Sequence, residues 1–126
     1  MTREEHSRLL LEFVGLTLSC NEEGWNFVYR IGERTISTTD AIDLFADTPD
    51  AAYWRETVQT KLVIAGDLLF DFLYKRESGQ WSVMFRRRHL LSPPTDQACY
   101  SEAYAEAFCE AAALAVLALK ESETTT

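Results

Sequence analysis

Groupings that hold metals or activate nucleophiles are scarce in this sequence. His6 and His89 are its only histidines, and no HxxxH, CxxC or DxD spacing offers a zinc or magnesium site. Cys20, Cys99 and Cys109 are odd in number and cannot all pair within one chain, a usage that suits a reducing cytosol. The five glycines are scattered at positions 15, 24, 32, 66 and 79, so no glycine-rich loop is available to cradle phosphate. The longest apolar run, Ala111 to Leu119, falls far short of the ~20 residues that span a bilayer. An early acidic pair, Glu4 and Glu5, replaces the basic-then-apolar order of a secretory signal. These absences predict a cytoplasmic protein that is not an enzyme and carries no cofactor or metal.

Positive charge is also in short supply. The 126 residues contain 12 Lys+Arg against 20 Asp+Glu, for a net charge of -8. Three of those bases stand together in Arg86-Arg87-Arg88-His89. A local basic block on an acidic body suits a small anionic ligand or an acidic protein groove better than long nucleic acid. The rest of the composition, 47% hydrophobic and 25% charged, is that of a single globular domain. That domain is expected over residues 1–120, with a disordered tail over 121–126.

Local signals give an alternating order of elements. Thr2-Arg3-Glu4-Glu5 has capping-box spacing and predicts a helix to about Ser19, with Leu9, Leu10, Phe13, Val14 and Leu18 as its buried stripe. Trp25 to Ile31 is rich in aromatic and β-branched residues and predicts a strand, turned at Gly32-Glu33 into a partner over Arg34 to Ser37. Thr48-Pro49-Asp50 opens a second helix with stripe residues Ala51, Trp54, Val58 and Leu62. Leu68 to Arg76 and Trp81 to Arg88 form the clearest hairpin, with Phe70, Phe72 and Tyr74 facing Trp81, Val83 and Phe85. Ser92-Pro93-Pro94 interrupts, and an alanine-rich helix runs from about Ser101 to Lys120. The fold class expected is α+β, an α/β/α sandwich on an antiparallel sheet of about four strands in the order α-β-β-α-β-β-α.

Three segments resemble the phage ABA-sandwich domain, a family of small phage and prophage proteins. They are the opening Thr2-Arg3-Glu4-Glu5 helix, the Thr48 to Trp54 helix start leading to Lys61-Leu62, and Trp81-Ser82-Val83-Met84-Phe85 followed by the alanine-rich helix. The resemblance implies an α/β/α sandwich and a viral or prophage origin, and it assigns no residue a role. Thr38 to Asp47 and the Phe70-to-Arg88 hairpin align least with it. The chain is also similar to small acidic type III secretion chaperones in size, low pI and helix–strands–helix–strands–helix order. It differs from them in having no third strand evident after the first hairpin.

The arginine block carries the site expectation. Arg86, Arg88 and His89 would offer a fork for phosphate or carboxylate, with Trp81 or Tyr74 available for stacking. The alternative is a strand end kept soluble by charge. Trp25, Trp54 and Trp81 lie on apolar stripes and read as core. A Cys99–His89 couple and an Asp67–Asp71 carboxylate pair each have a plainer reading, as a packed thiol with a surface histidine and as turn formers. The function expected is that of a non-catalytic phage accessory protein that antagonises bacterial defence by binding. It would sequester a nucleotide-like signal or block a defence protein, and a homo-oligomer fits either role. The alternative is a chaperone-like protein that holds an effector segment.

Overall fold

The computed structural model describes residues 1–22, 26–87 and 98–124. The elements are α1 (Arg3–Phe13), β1 (Thr17–Glu22), β2 (Asn26–Ile31), β3 (Arg34–Thr38), α2 (Pro49–Ile64), β4 (Leu68–Lys75), β5 (Gln80–Arg87), β6 (Cys99–Ser101) and α3 (Tyr104–Thr124). The chain is thus α+β with three helices, and the strands form two antiparallel three-stranded sheets, β1-β2-β3 and β4-β5-β6. The described residues therefore hold six strands in two sheets, where about four in one had been expected. None of the described helices is long and apolar enough to cross a membrane.

Both predicted helix starts form as the side chains dictate. The Thr2 hydroxyl accepts the Glu5 amide proton at 3.1 Å, and the Thr48 hydroxyl accepts that of Ala51 at 3.2 Å. Helix α1 ends six residues before the expected Ser19. At its end the Leu16 amide donates to the Leu11 carbonyl and the Gly15 amide to that of Glu12, with Gly15 at a φ of 90°. This is a Schellman stop, and it needs the left-handed freedom of glycine. Leu18, expected on the helical stripe, instead reaches the core from β1, and Leu16 just before that strand is buried as well.

The second hairpin forms as expected, and its register sets Phe70 opposite Phe85, Phe72 opposite Val83 and Tyr74 opposite Trp81. Strand β6 was not foreseen. It pairs with the free side of β5, with Cys99 opposite Val83. Helix α3 lies on β5 and β6 and packs its remaining flanks on α1 and α2. Its alanines permit that crowding: Ala107, Ala111, Ala112, Ala113 and Ala115 are all buried. The helix continues to Thr124, because each residue added to a formed helix gains a hydrogen bond at little cost. Residues 121–124, expected within a tail, are therefore helical.

The connection between β3 and α2 is held from several sides. Leu44 is fully buried within it, its amide donating to the Ser7 hydroxyl of α1 at 3.0 Å. The Leu44 carbonyl accepts from Arg55 of α2 at 2.7 Å and from the Cys109 thiol of α3 at 3.4 Å. The Ile42 amide donates to the Tyr29 hydroxyl of β2 at 3.1 Å. Side chains thus satisfy the backbone at Leu44, the condition for burying that residue of the loop.

Candidate binding surface

Alternation along β5 decides where the expected site residues go. Val83 and Phe85 are buried, with the Phe85 ring 5.8 Å from Phe108 of α3. Trp81 shares that side and lies 5.1 Å from both Tyr74 and Tyr104. Tyr74 and Trp81 are therefore brought together as expected for a stacking pair, on the side of the sheet that also carries Phe72. Arg86 has the opposite parity and projects from the other face of the sheet. It stands five positions from Trp81, roughly 17 Å along a strand. The structure does not join Arg86 to the two aromatic residues. Arg88 and His89 lie outside the described residues.

Arg86 already has a counter-ion. Its Nε sits 2.5 Å from Oδ2 of Asp71, diagonally across the β4–β5 ladder, and both side chains are about half exposed. An anion arriving there competes with a carboxylate in place. Asp71 is thus the partner of Arg86, and Asp67 occupies a turn at a φ of 52°.

The face that carries this ion pair is not covered by α3. Leu69, Leu73 and Tyr100 are exposed there, with Met84 half-buried between the strands. Lys75 places its ammonium 5.0 Å from the centre of the Tyr100 ring. The result is an apolar patch with a paired charge near one end and a cation–π contact near the other. Apolar area framed by satisfied charges suits contact with another protein surface, where the centre is desolvated and the rim stays polar.

A second concavity escaped the sequence reading. A cleft of about 530 Å³ opens between α1, β2 and the loop at 41–43, with Arg3, Glu4, Arg8 and Asp43 among its lining residues. Arg3 is bound to Asp43 at 3.2 Å and lies over the Phe45 ring, so the cleft has mixed charge. Arg3 and Arg8 on the first helix were its signal in the sequence. What hid it was the need for the distant 41–43 loop to close over them.

Of the thiols, Cys99 and Cys109 are not poised for attack. Cys99 is buried in β6, where burial, reinforced by Glu110, pushes its pKa up to about 11. Burial pushes Cys109 up to about 12, with Arg55 pulling the other way. Both remain protonated at neutral pH, whereas a nucleophilic cysteine needs its thiolate. No group of three or more His, Cys, Asp or Glu among the described residues could hold a metal ion. No protein-family model, curated protein or solved structure matches this chain.

Proposed function

We propose that this protein is a non-catalytic accessory protein of a phage or prophage that blocks a bacterial defence protein by direct contact. The carrying observation is the open face of β4–β6, where Leu69, Leu73 and Tyr100 stand exposed beside the Asp71–Arg86 pair. That arrangement favours protein blockade over capture of a nucleotide-like signal, because Arg86 is engaged by Asp71 and separated from Trp81 and Tyr74. The acidic net charge of -8 adds long-range attraction to a basic partner. The viral origin rests on the resemblance to the phage ABA-sandwich domain. The layering of α3 on β5 and β6 supports one half of the sandwich which that resemblance implies.

Phage plating on hosts that each carry one defence system tests this reading. Expression of the chain should raise plating efficiency on at least one host, and Leu69→Glu/Tyr100→Glu should abolish the gain. Arg86→Ala should retain it. Loss of the gain in Arg86→Ala/Arg88→Ala with retention in the Leu69/Tyr100 variant would move the function to an anionic ligand. No gain on any host would remove the defence role.

One observation favours the chaperone reading as a second possibility. Strand β1 brings the strands between α1 and α2 to three, as in type III secretion chaperones, although it precedes the first hairpin and no described strand follows β3 before α2. Coexpression with amino-terminal effector segments would test it through recovery of a soluble complex.

A further inference from the structure

The outer edges of the two sheets differ sharply in how they are protected. Strand β1 is bulged between Leu18 and Cys20, and β6 is only three residues long. Strand β3 is short and exposes Arg34, Thr35 and Ser37. Bulges, brevity and polar side chains are the usual means of keeping an edge from pairing. Strand β4 has neither bulge nor brevity, and its two exposed charged residues, Asp71 and Lys75, are of opposite sign. It runs eight residues in unbroken register with β5, and among the described residues no strand lies on its outer side. Three successive large residues on it are exposed: Phe72 at 57%, Leu73 at 59% and Tyr74 at 47%.

We propose that this edge pairs with β4 of a second copy of the chain, antiparallel about a twofold axis at Leu73. Self-complementarity fixes the occupant and the register. With Leu73 opposite itself, Asp71 of each copy faces Lys75 of the other, and Phe72 faces Tyr74. The opposite-charge pair and the aromatic pair are thereby each made twice. A register one residue earlier, centred on Phe72, sets Asp71 opposite Leu73 and Lys75 opposite Leu69, leaving each charge against an apolar side chain. Directly opposed charges and aromatic rings are the pairs that stabilise antiparallel strands, and a twofold axis makes each contribution count double.

The local structure is ready for that register. Phe72 and Tyr74 already touch Trp81, at ring separations of 6.4 and 5.1 Å, and Trp81 touches Tyr104. The pairing would join two such aromatic rows across the axis. It would also fuse the two copies of β4–β6 into one continuous sheet with α3 of each copy on the same face. The open faces then lie side by side. This association does not depend on which partner the open face binds.

Sedimentation velocity on three chains tests the proposal. The wild type should sediment as a dimer, whereas Lys75→Asp and Asp71→Lys alone each set like charges opposite one another. Each should weaken self-association by roughly tenfold or more, from two reversed cross-strand pairs. An equimolar mixture of these two variants restores both opposite-charge pairs and should dimerise like the wild type. A wild type that is monomeric at about 100 μM overturns the proposal, since specific association is complete well below that concentration. Single variants that dimerise as the wild type does, or a mixture that stays monomeric, overturn it as well. Because Asp71→Lys also removes the partner of Arg86, Leu73→Cys provides a check independent of charge. Mild oxidation should link Cys-bearing copies at the axis, while Thr60→Cys on exposed α2 should not. Absence of the Leu73→Cys link overturns the register.

Discussion

The Ser7 hydroxyl accepts the Leu44 amide proton at 3.0 Å, tying the first helix to a loop 37 residues away. Ser7 is the one polar side chain among the buried residues described, at 3% exposure. Ser7→Ala would leave the buried Leu44 N–H without its acceptor. The expected cost is about 1–3 kcal/mol. Urea unfolding should show it as a lower midpoint with an unchanged slope. Ser37→Ala, on exposed β3, should change stability by less than ~0.5 kcal/mol.

Gly66 occupies a close approach between α2 and α3. A Cβ there would lie 2.6 Å from the Leu62 carbonyl oxygen and 3.0 Å from a methyl of Leu119. The carbonyl is backbone and cannot swing aside, so Gly66→Ala has to shift the end of α2. A loss of about 1–3 kcal/mol is expected from this overpacking, read as a fall in thermal midpoint. Leu119→Ala relieves only the methyl contact and should not rescue the variant.

The two buried thiols make stability depend on alkaline pH. An unperturbed thiol ionises near 9.0, while burial holds Cys99 up to about 11 and Cys109 up to about 12. Above pH 9 the unfolded chain therefore releases protons that the folded chain keeps. Their contribution is present in full below pH 9 and is lost as pH rises through about 11 to 12. Urea midpoints at pH 8 and at about pH 10.5 should differ, with the higher pH less stable. Cys99→Ala/Cys109→Ala should narrow that difference. In the native wild type both thiols should react slowly with iodoacetamide at neutral pH.

Legibility in the sequence followed the range of the interaction. Thr2 and Thr48 cap their helices through atoms three residues away, and both caps are visible as short motifs. The β4–β5 register is equally local, set by alternating rings on either side of a turn with Gly79 at a φ of 66°. The first helix was overextended because Leu18, four residues after Val14, suits the helical stripe, whereas its alternation with Leu16 suits a strand. Gly15 was the deciding signal. Strand β6 was invisible because three residues cannot show a period, and only the vacant side of β5 defines them as a strand. The site expectation joined Arg86 to Trp81 through nearness in sequence, although their odd separation puts them on opposite faces. The Asp71 counter-ion and the 41–43 cleft required pairing and loop closure that no local motif encodes.

The anchoring of Leu44 also governs the order in which the chain can acquire its structure. Its amide is satisfied from 37 residues upstream and its carbonyl, through Cys109, from 65 residues downstream. Contacts that close such long segments form late, because the entropy of closure is lost before the contacts repay it. The Leu44 carbonyl also accepts from Arg55 nearby, so docking of the alanine-rich helix adds the longest-range of its anchors. The C-terminal helix thereby acts as a clasp on a loop that lies far from it in sequence.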